Sequence, residues 1–480
     1  MSSSLKQQTI SGIFWAAIQK FGTLGISFIS NIILARLLTP DDYGCLGLLA
    51  IFIVIAEVFV NGGFATALIQ KKESTHKDYC TVFYWNIFVS VLFYFILFYI
   101  APIVASYYNI PLLIPILRIQ GLILLTNSLS IVQLNILRKQ LKFKKMSIIQ
   151  FVSVLISVVV GILLAYNGWG VWSLVIQQLL NSSITSLILW ITSQWKPDFT
   201  FSFNSFKELF NYGSFLLLSD LLNSICDNIQ GLIIGRKYSS CDMGYYTQAK
   251  KLETVPTQSI SYVVNIVTLP VFAKLQENKQ QLYVAVRKSI RLINYLNIPL
   301  MVLLILVSEP LIILLFSDKW IESIPFFRIL CLSGIINCSQ SINYQVVCAV
   351  GRSRDIFKWN ILKRLLGIVF IFIGINWGIQ GMLYGMVCNL YLSFIINALV
   401  ATISTGYSLY QQIKDLCPII LLSIITALTT YIIIQYFTLN FILDLVLKIL
   451  VYISLFIIFS KIINRIEFIE YLNIIRSVKK

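Results

Sequence analysis

Fourteen long apolar stretches dominate this chain of 480 residues, and only short polar segments separate them. A helix needs about 20 mostly apolar residues to cross the hydrocarbon core of a bilayer. Hydrophobic residues make up 58% of the chain and charged residues only 12%, and the mean hydropathy is +0.83. The stretches lack the period-two alternation that is typical of membrane β-barrel strands. The sequence therefore predicts an all-α integral membrane protein with fourteen transmembrane helices.

The predicted helices form two sets of six and a final pair. The first set is Thr9–Leu34, Tyr43–Leu68, Tyr79–Ala105, Leu112–Leu137, Ile148–Tyr166 and Gly170–Trp190; the second is Tyr212–Gly235, Val255–Phe272, Ile290–Phe316, Ile324–Val350, Ile356–Ile375 and Ile379–Ile403; the pair is Leu416–Phe437 and Phe441–Ile463. This order predicts an N-terminal lobe over residues 1–205 and a C-terminal lobe over residues 206–405. An extra helix pair with a cytoplasmic tail follows over residues 406–480.

The 37 Lys and Arg residues are distributed unevenly between alternate loops. If the N-terminus is cytoplasmic, the outer loops hold only Arg36, Arg236, Lys237, Lys250, Lys251 and Lys319. Such asymmetry follows the positive-inside rule and predicts that both termini are cytoplasmic. The net charge of +17 then reflects contact with anionic membrane lipids, for example at Arg138–Lys145, rather than with nucleic acid.

Two sequence windows recur in the second half of the chain. Residues 32–44 resemble residues 232–244, with identical Ile33/Ile233, Arg36/Arg236, Asp42/Asp242 and Gly44/Gly244. Residues 114–122 resemble residues 324–332, and Pro115 and Arg118 match Pro325 and Arg328. Six predicted helices separate equivalent positions, so both copies have the same orientation in the membrane. We therefore expect two pseudo-symmetric six-helix lobes around a central cavity.

Several ionisable residues lie within the predicted spans. Burying such a charge at the bilayer centre costs about 2.5–3.5 kcal/mol on insertion scales, so these residues are expected to face a polar interior. Lys20 lies in the first span and Glu57 in the second. The seventh span carries Asp220, Asn223, Ser224 and Asp227, whose spacing places them on one helix face.

These residues are the candidate site. Lys20 and Asp220 occupy equivalent positions of the two repeats, where they form either an ion pair that changes during a transport cycle or a static buried pair. Glu57 is either a coupling carboxylate or a satisfied interhelical group. Arg118 and Arg328 either extend to the membrane surface or hold a phosphate through two parallel hydrogen bonds.

The sequence argues against catalytic and metal sites. His76 is its one histidine, and neither a G-x-x-x-x-G-K-[ST] phosphate loop nor an H-E-x-x-H motif occurs. The longest predicted outer segment, Lys237 to Thr254, is too short for a catalytic domain. We therefore expect a transporter without a cofactor, apart from a coupling proton or sodium ion. The alternatives are a multidrug or cation efflux transporter, or a membrane polysaccharide polymerase or ligase.

Motifs at the helix ends resemble bacterial polysaccharide flippases of the Wzx type, and in particular the branch of colanic-acid exporters. The resemblance covers roughly residues 5 to 400. The matching segments are Thr9-Ile10-Ser11-Gly12 before Trp15, Ile33 through Gly44, Gly63-Phe64-Ala65, Ile69 through Glu73, Phe272 through Gln276, and Lys319-Trp320. These proteins belong to a superfamily that also includes multidrug extruders and the flippase for peptidoglycan precursors.

The resemblance implies a V-shaped pair of lobes in the bacterial inner membrane. It implies transfer of an undecaprenyl-diphosphate-linked oligosaccharide between leaflets for surface polysaccharide synthesis, driven by an ion gradient. A polysaccharide polymerase and glycosyltransferases are the expected protein partners. On this basis Lys20, Arg118 and Arg328 would contact the diphosphate or sugar. Glu57, Asp220, Asn223 and Asp227 would serve coupling or gating, although Asp227 matches no motif of the family.

Overall fold

The computed structural model describes residues 3–71, 74–436, 440–463 and 469, and their regular secondary structure is helical. The helices are α1 (Ser3–Leu37), α2 (Pro40–Asn61), α3 (Phe64–Gln70), α4 (His76–Tyr108), α5 (Leu113–Gln120), α6 (Leu122–Lys139), α7 (Phe143–Tyr166), α8 (Val171–Thr192), α9 (Phe203–Lys237), α10 (Ser240–Leu275), α11 (Lys279–Leu306), α12 (Ser308–Phe316), α13 (Ser323–Ala349), α14 (Ser353–Gly374), α15 (Gly378–Thr405), α16 (Leu409–Gln435) and α17 (Phe441–Ile463). Described residues form no strand, which confirms the predicted all-α class. The predicted cytoplasmic tail falls on residues 464–468 and 470–480, which lie outside the described residues.

Ten helical segments among the described residues are long and apolar enough to cross a membrane. Their outer surfaces are apolar: on α4, Phe88, Leu92, Phe95, Tyr99 and Ile103 are all exposed and share one helix face. A stripe of this length on a water-soluble protein would be buried. The protein is therefore a multi-pass membrane protein, and the count of fourteen spans stays a prediction.

Three of the predicted spans are interrupted. The second breaks between α2 and α3 at Gly62 and Gly63, whose φ angles of +53° and +70° are accessible to glycine at little cost. The fourth bends at Gly121, between α5 and α6. The ninth breaks at Val307, three residues before Pro310, which lacks the N–H that a continuous helix needs. Uniform hydropathy concealed all three interruptions.

One predicted outer loop is wrong. Most of the segment from Lys237 to Thr254 belongs to α10, which begins at Ser240. The Asp242 carboxylate accepts hydrogen bonds from the backbone N–H and hydroxyl of Ser239, at 3.0 and 2.7 Å, and Ser239 in turn caps Asp242 N–H. This reciprocal cap starts the helix before its sequence becomes apolar.

The chain divides into two compact units, residues 1–244 and 245–480. In the first unit, α1 packs on α7, α6 packs on α4 and α8, and α9 packs on α2, α3 and α4. Lys71, just after α3, lies 2.9 Å from Glu208 of α9, and this hydrogen bond raises the pKa of Lys71. The first unit therefore includes α9, which the sequence places at the start of the C-terminal lobe. The lobe boundaries at 205 and 405 stay predictions.

The second unit is built around α11 and α13. Helix α11 packs on α13 and α16, while α15 packs on α13 and α14. The Arg287 guanidinium of α11 donates two hydrogen bonds to Asp415 of α16, at 2.7 and 2.9 Å, and Tyr407 donates a third at 2.6 Å. A bidentate pair of this kind fixes the relative position of two helices more strongly than a single contact.

Candidate functional site

Glu57 of α2 lies beside a polar cleft inside the first unit. Its Oε1 accepts a hydrogen bond from Asn127 Nδ2 of α6 at 3.1 Å, and its side chain is half-buried. The cleft has a volume of about 200 Å³; its other polar lining residues are Asn61, Ser130, Asn135 and Arg138. We call this space the Glu57 cleft. It is large enough for several water molecules. The carboxylate of Glu57, on the otherwise apolar helix α2, therefore faces a polar space.

A second set of hydrogen bonds orients the partner of Glu57. The Oδ1 of Asn127 accepts a hydrogen bond from Ser182 Oγ of α8, which also lies 2.6 Å from Thr126 Oγ1. The Asn127 amide group therefore has its NH₂ directed to the carboxylate. The described residues provide no other hydrogen bond to Glu57. The other lone pairs of the Glu57 carboxyl group are thus available to a proton, a water molecule or a small cation.

Lys20 lies on α1, away from the Glu57 cleft. Its helix packs along α7, where Gln19 and Gln150 are hydrogen-bonded and Ser147 donates to Trp15 O at 3.0 Å. The Lys20 side chain is half-buried and does not belong to the residues that line the cleft. Its pairing with Asp220 stays a prediction.

The acidic stripe of α9 is accessible. Asp220 and Asp227 are exposed and Asn223 is half-buried. Part of another face of α9 packs closely on α2, since a methyl group added to Gly231 would lie 3.2 Å from Gly47 O. Small residues of this kind allow two membrane helices to approach each other. One part of α9 thus packs on α2 while its carboxylates are exposed, as expected for a polar stripe on one face. The coupling role of this stripe stays a prediction.

The two repeated arginines make equivalent local contacts. Arg118 Nε donates to Phe98 O at 3.3 Å, and its guanidinium lies 4.0 Å from the centre of the Phe98 ring. Arg328 Nε donates to Ser308 Oγ at 2.7 Å, and Arg328 Nη2 lies 3.8 Å from Glu309 Oε2. Both arginines reach the residue twenty positions earlier. The duplication therefore extends to side-chain contacts, and a phosphate-binding role stays a prediction for both residues.

The starts of α2 and α10 repeat one another in detail. Thr39 and Asp42 form the same reciprocal cap as Ser239 and Asp242, with Asp42 accepting from the Thr39 backbone N–H at 2.9 Å. The two starts also touch: a methyl group added to Gly44 would lie 1.8 Å from Ser240 O, and one added to Gly244 would lie 1.9 Å from Pro40 O. Gly44 faces Ser240 and Gly244 faces Pro40, and positions 40 and 240 are equivalent in the two repeats. We call this contact the reciprocal junction.

Substituting Gly44 by alanine is expected to reduce transport about 5- to 150-fold, because overpacking costs about 1–3 kcal/mol in the conformation that contains the reciprocal junction. The Gly44 methyl group meets backbone rather than a flexible side chain, so a rotamer change gives no relief. Transport is measured by complementation of a strain that lacks the gene, with membrane protein levels determined in parallel.

Gly25→Ala is the matched control, since nothing lies within 4 Å of a methyl group at that position on α1. We expect Gly25→Ala to behave like the native protein. Equal activity of Gly44→Ala and Gly25→Ala would show that the reciprocal junction is unimportant for the cycle.

Sequence reasoning missed two groups of polar residues. The face of α6 that bears Asn127 carries amides and hydroxyls rather than charges, so it does not stand out among the ionisable residues of the spans. Glu253 was assigned to a loop, yet it is 9% exposed within α10 and accepts a hydrogen bond from Thr257 Oγ1. The density of Asn, Gln and Ser between Thr126 and Asn135 was the available signal for α6.

Comparisons with known proteins agree with this architecture. The chain is 27% identical over 359 residues to the teichuronic acid biosynthesis protein TuaB of Bacillus subtilis, covering 74% of each chain. It is 25% identical over 412 residues to the lipopolysaccharide biosynthesis protein WzxC of Escherichia coli, covering 85% of this chain and 82% of that protein.

Two solved structures share the fold. The lipid II flippase MurJ in an inward closed conformation matches with a TM-score of 0.77 and 18% identity, over 94% of this chain and 99% of the other. An inward-facing multidrug resistance transporter of the MATE family matches with a TM-score of 0.64 and 18% identity, over 82% and 98% of the two chains. This chain therefore shares its fold with both proteins.

The family model described as "Polysaccharide biosynthesis protein" matches residues 33–325, which is more than half of the chain. This match includes the Glu57 cleft, the helix α9 stripe and both members of the reciprocal junction. It confirms the resemblance that the helix-end motifs indicate. The chain belongs to the polysaccharide biosynthesis protein family of membrane proteins.

Proposed function

We propose that this protein is a flippase that moves an undecaprenyl-diphosphate-linked oligosaccharide from the cytoplasmic to the outer leaflet of the bacterial inner membrane. The family assignment of a multi-pass membrane protein with a transporter fold carries the proposal. The proteins similar to it are named for the biosynthesis or transport of surface polysaccharides. The product would enter the synthesis of O-antigen, capsule or exopolysaccharide, next to a polymerase and glycosyltransferases.

The proposed topology has fourteen spans, cytoplasmic termini, and two six-helix lobes around a central cavity with an added helix pair. Alternating access of that cavity moves the hydrated headgroup, while the lipid tail stays in the bilayer. The duplicated helix caps and the equivalent contacts of Arg118 and Arg328 support two lobes of the same orientation.

The proposed roles of the site residues follow from charge. Lys20, Arg118 and Arg328 attract the diphosphate. Glu57, Asp220, Asn223 and Asp227 bind or release the coupling proton or sodium ion. A membrane potential contributes about 2.3 kcal/mol per charge per 100 mV, so one coupled cation can drive accumulation in one leaflet. The single partner of Glu57 among the described residues supports its assignment to coupling.

The decisive experiment measures flipping of a labelled lipid-diphosphate oligosaccharide in proteoliposomes. We expect transfer between leaflets that depends on the protein and accelerates under an imposed pH or sodium gradient. Protein-free liposomes and a labelled lipid monophosphate without sugar serve as controls. Failure to move the labelled substrate, together with transport of cationic drugs under the same gradient, would assign the protein to efflux instead.

Asp220→Ala and Lys20→Ala are each expected to abolish surface polysaccharide while the protein still inserts into the membrane. Each substitution removes a charge that the cavity needs in order to bind substrate or coupling ion. Polysaccharide is measured by immunoblot of cell extracts from a complemented deletion strain.

Asp444→Ala and Lys448→Ala provide the matched control. These residues form an ion pair of 2.6 Å within α17, outside the two predicted lobes. We expect them to leave polysaccharide unchanged. Native polysaccharide levels in both Asp220→Ala and Lys20→Ala would reject the proposed roles of these two residues.

A further inference from the structure

A second and larger cavity lies on the other side of α6, where several helices of the first unit begin or end. Its volume is about 490 Å³. The lining residues come from the start of α4, the end of α6, the residues around the start of α7, the end of α8 and the segment after it. Those used below are His76, Gln133, Lys139, Lys142, Lys145 and Trp195. We call this cavity the basic pocket. It shares no lining residue with the Glu57 cleft.

The charge of the basic pocket is positive. Three lysines line it, and its described lining residues include no carboxylate. Lys139 Nζ donates to Lys71 O at 2.6 Å and to Ser74 Oγ at 2.7 Å, and Lys145 Nζ donates to Thr192 O. These acceptors are neutral, so among the described residues they do not compensate either positive charge. Lys142 is exposed, and its ammonium group has no hydrogen bond or ion pair with the described residues.

Described acidic groups lie near the pocket but do not line it. Asp78, next to the lining residue Tyr79, lies 3.1 Å from Lys71 Nζ. Asp198 is 2.9 Å from His76 Nε2, and its side chain is 69% exposed. Asp198 is not a lining residue, so it orients the imidazole from outside the cavity. Among the described lining residues, the lysines supply the formal charges that an occupant meets.

Two buried polar side chains beside the pocket lack partners. Gln133 is 1% exposed, and neither its amide nitrogen nor its amide oxygen has a hydrogen-bond partner in the described structure. The indole N–H of Trp195 is likewise buried without an acceptor. Leaving such groups unsatisfied is expensive, so the Gln133 NH₂ and the Trp195 N–H mark a place for an occupant with acceptor atoms, while Gln133 Oε1 needs a donor such as a water molecule. Two N–H donors and several ammonium groups suit an anion with several oxygens.

The pocket also lies next to apolar surface. Ile191, beside Thr192, is 74% exposed, and Ile148, one turn after Lys145, is 50% exposed. An occupant that carries both a phosphate and an acyl chain would satisfy both surfaces, because anionic headgroups bind basic pockets between helices while their tails cover apolar faces.

We propose that the basic pocket binds a phosphate group, presented by the headgroup of a membrane lipid. The ligand class is a phosphomonoester or phosphodiester whose oxygens accept from Lys142, Lys145, Gln133 and Trp195. The site is separate from the Glu57 cleft, and it does not depend on which substrate the protein transports.

The test is a lipid titration of the full-length protein in detergent, with bound species counted by native mass spectrometry. Phosphatidic acid is compared with diacylglycerol, which differs from it only by the phosphate. We expect saturable binding of one phosphatidic acid above the diacylglycerol background. Inorganic phosphate is the second arm: competition at millimolar concentration indicates that phosphate alone fills the pocket, and no competition indicates that the lipid supplies part of the binding.

Variants locate the site. The double variant Lys142→Gln/Lys145→Gln removes the accessible charges, and Gln133→Leu removes the buried amide at nearly constant volume. Each is expected to weaken phosphatidic acid binding about tenfold or more, because hydrogen bonds to charged groups have that magnitude. Lys207→Gln, an exposed lysine on α9 outside the pocket, is the matched control and should not weaken binding.

A thermal melt of each variant separates lost binding from lost folding. Gln133→Leu is expected to melt at or above the native temperature, because it removes an unsatisfied polar group. Equal binding of phosphatidic acid and diacylglycerol, or native affinity in both pocket variants, would overturn the proposal.

Discussion

The double variant Asp41→Cys/Ser240→Cys is expected to lose transport when oxidised and to regain it on reduction. The two side chains are hydrogen-bonded at the reciprocal junction, so we expect cysteines at these positions to come close enough for a disulfide. Alternating access requires regions of the two repeats to separate during each cycle. A covalent bond at this junction would hold the repeats in one arrangement, and transport should fall to background.

The experiment needs a background without Cys45 and Cys241, since both native thiols are free and lie near the engineered pair. Ser90→Cys/Ser128→Cys is the matched control. Those hydroxyls are 3.1 Å apart and join α4 to α6 within one predicted lobe. We expect the control disulfide to leave most of the activity intact. Full transport by protein whose 41–240 disulfide is verified by mass spectrometry would contradict separation at the junction.

Glu57→Gln is expected to abolish the stimulation of flipping by an ion gradient while the protein remains folded. Glutamine can still accept the hydrogen bond from Asn127, but it cannot bind and release a proton or neutralise a cation. A potential of 100 mV contributes about 2.3 kcal/mol per charge, or roughly 50-fold in accumulation. We expect most of that factor to disappear in proteoliposomes that carry the variant.

Glu208→Gln controls for the loss of a carboxylate elsewhere in the first unit. Glu208 is 62% exposed and bonds only the loop residue Lys71 among the residues described. Its replacement should retain the full response to the gradient. If Glu57→Gln also responds like the native protein, Glu57 is a structural partner of Asn127 and the coupling group lies elsewhere.

Hydropathy predicts the helices of this chain well, because crossing a membrane demands a long apolar segment and little else. The same uniformity hides the places where a helix must break: nothing in the apolar run around Gly62 shows that two glycines adopt positive φ there. The helical segment before Val255 was missed for the opposite reason. Its residues are polar, and only the cap formed by Ser239 and Asp242 indicates a helix.

The candidate site was predictable in part. The repeat of Arg118 and Arg328 was visible in the sequence, and each guanidinium group donates to the residue twenty positions earlier, Phe98 O for Arg118 and Ser308 Oγ for Arg328. The partner of Glu57 was not predictable from the sequence. Periodicity shows which residues lie on the same face of a helix, but it does not show which other helix packs against that face. Asn127 and Ser182 lie 55 residues apart and meet only through the packing of α6 on α8.

The reciprocal junction also bears on how such a chain can originate. In a symmetric homodimer, residue i of one subunit meets residue j of the other, and j meets i in return. Gly44 with Ser240 and Gly244 with Pro40 reproduce that rule within a single polypeptide. In a dimer of a half-length ancestor, the equivalent glycine of each subunit would have made this contact with the other subunit. Fusion of two gene copies would then have allowed each half to acquire its own pattern of charges, while the backbone contact continued to require glycine on both sides.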